Sequence, residues 1–155
     1  MGNKGKIRIS GIAIPFEKEN KNGQIYSKES FSEECLKDLN EKLKHTTLFG
    51  EATNYSDHDP SVVSLKNVAF HVDKTEINSK GLYVEGELLN TQKGKEAKKI
   101  IQDALKNGQD LPYRIASRSM GSIDEKGHIT VDKILAFDLI PKHLSSFDSD
   151  IDIIE

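Results

Sequence analysis

The chain of 155 residues holds one cysteine, no tryptophan and four prolines, and its aromatic content is only 6%. With Cys35 alone, no internal disulfide can form and no cysteine-rich zinc site can be built, which fits a reducing compartment. No stretch approaches the roughly twenty apolar residues of a membrane helix, and the opening MGNKGKIRIS lacks the apolar region of a secretory signal. The expectation is a soluble cytoplasmic protein with no membrane partner. Charge of one sign is scarce as well: 22 Lys and Arg against 25 Asp and Glu leave a net −3, mixed along the chain rather than blocked. That balance argues against nucleic acid as the main partner.

What is present suffices for one core, since 35% of the residues are hydrophobic. The β-branched run Ile7 to Phe16 predicts a strand, and Phe31, Cys35, Leu36, Leu39 and Leu43 recur at helical spacing, predicting a helix from Ser27 to Lys44. Ser30 with Glu33 has capping-box spacing, and Ser27 is an equally good cap. A short strand at Leu48 to Thr53 leads into the turn-rich NYSDHDPS. Two β-rich runs, Val62 to Ile77 and Leu82 to Leu89, flank NSKG as a hairpin. A second helix is predicted from Lys93 to Asn107, and a second hairpin, Tyr113 to Ile123 and His128 to Ile140, flanks DEKG. The tail HLSSFDSDIDIIE is polar and expected to be mobile.

Three places could carry chemistry. RIASRSMGS, Arg114 to Ser122, gathers three serines and two arginines without the G-x-S-x-G or S-x-x-K arrangement that would select a nucleophile. Strand parity puts Ser117 and Ser119 on one face with Ile115 and leaves them tied. His58, in SDHDP, is either a turn histidine bonded to Asp57 or Asp59 or a general base. Asp138, inside ILAFDLIP, needs a partner: it either caps backbone N–H groups or holds a cationic or N–H-donating residue. A metal set of Asp57, His58 and Asp59 with Glu51 or His71 is disfavoured, because adjacent loop residues seldom converge on one ion; no metal or cofactor is expected.

The blocks GEATNYSDHDP, SLKNVAFHV, GLYVEGELLNTQKGKEAKKII, IASRSMGS and FDLIP, taken in order, resemble the prohead maturation proteases of large tailed bacteriophages. The resemblance runs from Ile12 to Phe147 and rests on five short blocks in sequence. It implies an α+β fold like that of the related herpesvirus assemblins, a small, mostly antiparallel β-barrel flanked by helices. It further implies one protease domain over 1–147, a flexible tail over 148–155, and a serine endopeptidase made as a zymogen. Such an enzyme would cut scaffold and capsid proteins inside the immature prohead, in the host cytoplasm, with a homodimer as the candidate assembly.

Carried over residue by residue, His58 matches the histidine of the family's Asp-His-Pro block and becomes the general base. The family's Ser-Ser-Arg-Gly reads here as Ala116, Ser117, Arg118 and Ser119, so Ser117 matches the Ser-Arg position and becomes the nucleophile. Asp138 matches the aspartate of the last strand and would orient His58, with His143 and His71 as rivals for that place. Arg118 and Gly121 are the candidates for supporting the oxyanion. The chain departs from the family in having Asp-His-Asp for Asp-His-Pro, four added residues between Glu51 and Asp57, and Ser119 for glycine. The family cuts after glutamate in a Leu/Ile-x-Glu context, which Ile153, Ile154 and Glu155 fit, so Glu155 is the expected self-cleavage end. The rival readings are a non-catalytic capsid-assembly or scaffold module with the same fold, and a metal-dependent hydrolase using the SDHDP segment.

Overall fold

A computed structural model describes residues 6–52, 65–145 and 151–154. His58, its neighbours Asp57 and Asp59, and Glu155 lie outside the described residues. The alternation in RISGIAIP forms β1 (Arg8–Pro15), in which Ile9 is fully buried while Arg8 lies on the other face. The first helix starts later than the apolar spacing implies. Ser27 and Ser30 instead close a 3-10 turn, Lys28–Ser30, and the extended Phe31 interrupts the path. The helix α1 (Glu33–Lys44) then opens at Ser32, whose hydroxyl accepts the Cys35 N–H at 3.0 Å.

After β2 (Phe49–Glu51), a 3-10 turn at Leu65–Asn67 leads into β3 (Val68–Ile77), which pairs with β4 (Gly81–Leu88). Their turn is set by Asn78, whose side chain accepts the Lys80 and Gly81 N–H groups, and by Gly81 at φ 151°. Helix α2 (Gln92–Lys106) is capped by Thr91 and buries Ala97, Ile101 and Ala104. The chain continues as β5 (Tyr113–Ile123) and β6 (Ile129–Pro141), a long antiparallel ribbon, and then a 3-10 turn, Lys142–Leu144.

The α+β class and the antiparallel pairing are as expected; among the described residues a closed barrel is not found. The described strands, the last of them β7 (Ile151–Ile154), form a five-stranded sheet in the order β2-β3-β4-β1-β7 and a separate two-stranded ribbon, β5-β6. An isolated bridge between Ala52 and Leu139 joins the two. At Gly50, beside that bridge, a Cβ would stand 1.6 Å from the Phe137 carbonyl oxygen. The ribbon backbone thus fills the place of a side chain on β2, and β6 crosses β2 instead of extending its ladder. Between sheet and ribbon lies the core, with Ile9, Phe70, Val72 and Leu88 on one side, Ile115, Phe137 and Leu139 on the other, and Cys35 and Ile101 brought in by the helices. Among the described residues, no helix is long and apolar enough to cross a membrane.

The tail is the second correction. Ile151–Ile154 form β7, antiparallel to β1 from Arg8 to Gly11, and Ile151 is only 5% exposed. The acids around it made the segment read as polar, yet Ile151 and Ile153 alternate with Asp152 and pack against the core while β7 pairs with the outer edge of β1.

Ile151→Ala should therefore lower unfolding stability by about 2 kcal/mol or more in urea titration, where a mobile tail predicts no change. A second expectation concerns Arg8, which donates to both oxygens of Asp73 at 2.8 and 2.9 Å. Those hydrogen bonds, against the opposing effect of burial, hold the Asp73 carboxyl below its usual 3.8. The stabilisation is present above the ordinary value and is lost as pH falls through the depressed one. With the two side chains 33% and 40% exposed, it amounts to under about 1 kcal/mol. Asp73→Asn should lower stability slightly at neutral pH and flatten its decline below about pH 4, as read by urea unfolding across that range.

Candidate active site

Three elements meet where β2 crosses the ribbon. Asp138 on β6 and Glu51 on β2 are both fully buried, and Arg118 on β5 is 7% exposed. The Arg118 guanidinium donates from Nε to Asp138 Oδ2 at 2.7 Å, from Nη2 to Asp138 Oδ1 at 2.9 Å, and from Nη2 to Glu51 Oε2 at 2.9 Å. Asp138 Oδ1 also accepts the Glu51 backbone N–H at 2.7 Å. Both alternatives open for a carboxylate in ILAFDLIP are thus realised together: Asp138 caps a backbone N–H and holds a cation. The planar fork of arginine meets two oxygens of one carboxylate and still reaches a second, an arrangement lysine cannot reproduce.

Burial by itself lowers the Arg118 pKa, but the Asp138 hydrogen bonds and charge, followed by the charge of Glu51, outweigh it and raise the pKa further. The two carboxylates thus reinforce the charge that an arginine side chain carries in proteins. Arg114, also 7% exposed, belongs to the same strand face four residues earlier.

The ribbon register decides what else shares this face. Ala116 stands opposite Asp138, Arg118 opposite Ala136 and Arg114 opposite Ile140, so these six side chains leave one face. Ser117 stands opposite Phe137 and Ile115 opposite Leu139, on the other face, where Phe137 and Leu139 are fully buried and Ser117 is half-buried. Ser117 is next to Arg118 in the chain, yet the two side chains project on opposite sides. Past the register shift between Arg118 and Ser119, Ser119 is exposed, whereas Ser117 is half-buried.

The expected supporting residues are placed as follows. Within the ribbon, Ser117 and Asp138 lie on opposite faces, and the Asp138 oxygens accept from Arg118 and from the Glu51 N–H. Arg118, read as an oxyanion support, spends Nε and Nη2 on carboxylates. Gly121 lies at the exposed distal end of the ribbon, where a Cβ would stand 1.9 Å from the Thr130 carbonyl, so its lack of a side chain serves strand pairing. His143 is exposed in the turn after β6; Pro141, where that strand ends, is already about 13 Å beyond Phe137 at the rise of a strand. His71 is on β3 against the Phe49 ring, 5.0 Å between centroids, with Nε2 buried and unpartnered among the described residues.

Glu51 and Arg118 are members of a buried ion triad that sequence reasoning missed as a unit. The hairpin at DEKG put Arg118 and Asp138 on paired strands, but two register shifts, between Met120 and Gly121 and between Arg118 and Ser119, decide that they stand diagonally across from each other.

No protein-family profile matches the chain, and no curated protein matches it in sequence. Among solved structures it is similar to the bacteriophage T4 capsid assembly protease, gp21, with a TM-score of 0.65 and 20% identity over 86% of this chain and 80% of that one. The chain has the fold of that protease.

Because Arg118 sits between two buried carboxylates, Arg118→Met should cost about 3–5 kcal/mol in urea unfolding, far more than removal of an exposed ion pair. A loss below about 1 kcal/mol would mean that the carboxylates reach water or other cations when Arg118 is gone.

Proposed function

We propose that this chain is a maturation endopeptidase of the serine type that cleaves scaffold and capsid proteins, and itself, inside an immature phage capsid. The observation that carries the reading is the shared fold with a capsid assembly protease, together with the convergence of the Gly-Glu, Ser-Arg and Asp blocks where β2 crosses the β5-β6 ribbon. Ser117 is the nucleophile: its Oγ attacks the scissile carbonyl while His58 takes the hydroxyl proton, and His58 returns that proton to the leaving amine. Water then attacks the acyl-enzyme, giving its proton to His58, and the acid product leaves as Ser117 recovers its own. The scissile bond follows glutamate in an Ile/Leu-x-Glu context, which Ile153, Ile154 and Glu155 fit as a self-cleavage site.

A second reading has a specific observation in its favour. Ala116, at the first serine position of the family block, shares the face of Arg118 and Asp138, whereas Ser117 does not. If the reaction belonged to that charged face, this chain would lack the hydroxyl for it and would be a non-catalytic assembly module with the protease fold.

One set of proteins separates the two, each carrying ten extra residues after Glu155 and weighed by mass spectrometry. The protease reading expects the wild type to shed the extension, and Ser117→Ala, folded by circular dichroism, to retain it. The module reading expects the wild type to retain it and Ala116→Ser to begin shedding it.

A further inference from the structure

The ion triad ties together segments that the chain keeps far apart, and the tie falls at a particular point. Glu51 is engaged at both its N–H, by Asp138, and its carboxylate, by Arg118. The next residue, Ala52, bridges to Leu139 on β6 and donates its N–H to the Asn67 carbonyl at 3.0 Å. Ala52 and Asn67 flank the stretch that contains His58. Both ends of that stretch are therefore rooted beside the triad, and the triad is bonded to the two strands of the ribbon that carries Ser117.

We propose that Glu51, Arg118 and Asp138 act as a positioning lock that holds the root of the His58-bearing segment in register with the Ser117-bearing strand. The proposal rests on the reading of Ser117 and His58 as nucleophile and base. None of the three touches substrate; they fix where the base starts from. The geometry favours this over a role in stability alone. Buried ion triads are often replaced by apolar side chains at no loss of stability. Here the fork imposes two distances and one plane on the strand crossing, which a hydrophobic contact does not. Gly50 supports the same crossing by letting the Phe137 carbonyl rest directly on β2.

The charge-preserving variant Arg118→Lys tests the lock, because it keeps the cation but not the fork. The probe is a peptide with the sequence Asp-Ile-Ile-Glu ahead of a fluorogenic amide, with Ser117→Ala in the same assay. The lock predicts that Arg118→Lys remains folded, that kcat falls roughly 10- to 100-fold with KM within a factor of two, and that the acid limb of the kcat/KM profile moves. A folded Arg118→Lys with unchanged kcat and pH profile overturns the lock even though Ser117→Ala is inactive. Hydrolysis that persists in Ser117→Ala overturns the nucleophile assignment instead, and the lock with it. Amide hydrogen exchange gives a readout independent of turnover. In Arg118→Lys, or in Glu51→Gln/Arg118→Met/Asp138→Asn should the lysine variant fail to fold, the Glu51 and Ala52 amides should lose protection at least tenfold while Leu88 in the sheet keeps it. Equal protection of all three in the variant and the wild type overturns the lock.

Discussion

A guanidinium held between two carboxylates, out of water, is the interaction on which the rest of this architecture depends. Arg118, Asp138 and Glu51 come from three strands and are separated by as many as 87 positions in the chain. Each charge alone would be intolerable in its setting, since an isolated ion in a protein interior lacks the solvation that water provides. Together they make a contact that is satisfied only at one crossing of β2 over β6. The absence of a side chain at Gly50 lets the backbones come that close. Hydrophobic burial could hold the sheet against the ribbon at many offsets; the fork admits one.

The alternation of a β-strand then determines how this interaction relates to chemistry. Ser117 and Arg118 are adjacent in sequence, which in an extended chain means opposite faces. The half-buried hydroxyl and the buried ion triad are back to back, joined by the backbone between them and not by contact. Within the ribbon, Asp138 and Ser117 are related through the register of the two strands.

The two amphipathic helices and both hairpins were legible, because their apolar spacing and turn residues are local and agree with the final packing. The start of α1 was less so: Phe31 carries the apolar rhythm but is extended, packing 6.0 Å from the Phe16 ring, a contact no local rule contains. Strand β7 was missed because its alternation spans only Ile151 to Ile153 amid acids, and it exists by virtue of the β1 edge it completes. Asp138 announced through its apolar neighbours that it needed a partner, but Glu51, near the end of a short strand and next to a turn-rich stretch, gave no such sign. The resemblance to a protease family grouped Ser117 with Arg118 and Asp138, and the ribbon register places the Arg118 and Asp138 side chains on the face opposite Ser117.

The sequence by itself determined the element types, the α+β class, the likeness to a prohead protease fold and the rule that a carboxylate in ILAFDLIP must be paired. Each of these follows from residues close together in the chain or from blocks read in order. Only the tertiary structure decided that the sheet and ribbon stay open, that the last residues join the sheet, and that Asp138 is shared by Arg118 and Glu51. It also decided that Ala116, and not Ser117, shares their face. These outcomes depend on register and on how two backbones cross. Both are set by contacts between distant segments, where a shift of one residue turns every side chain to the other side.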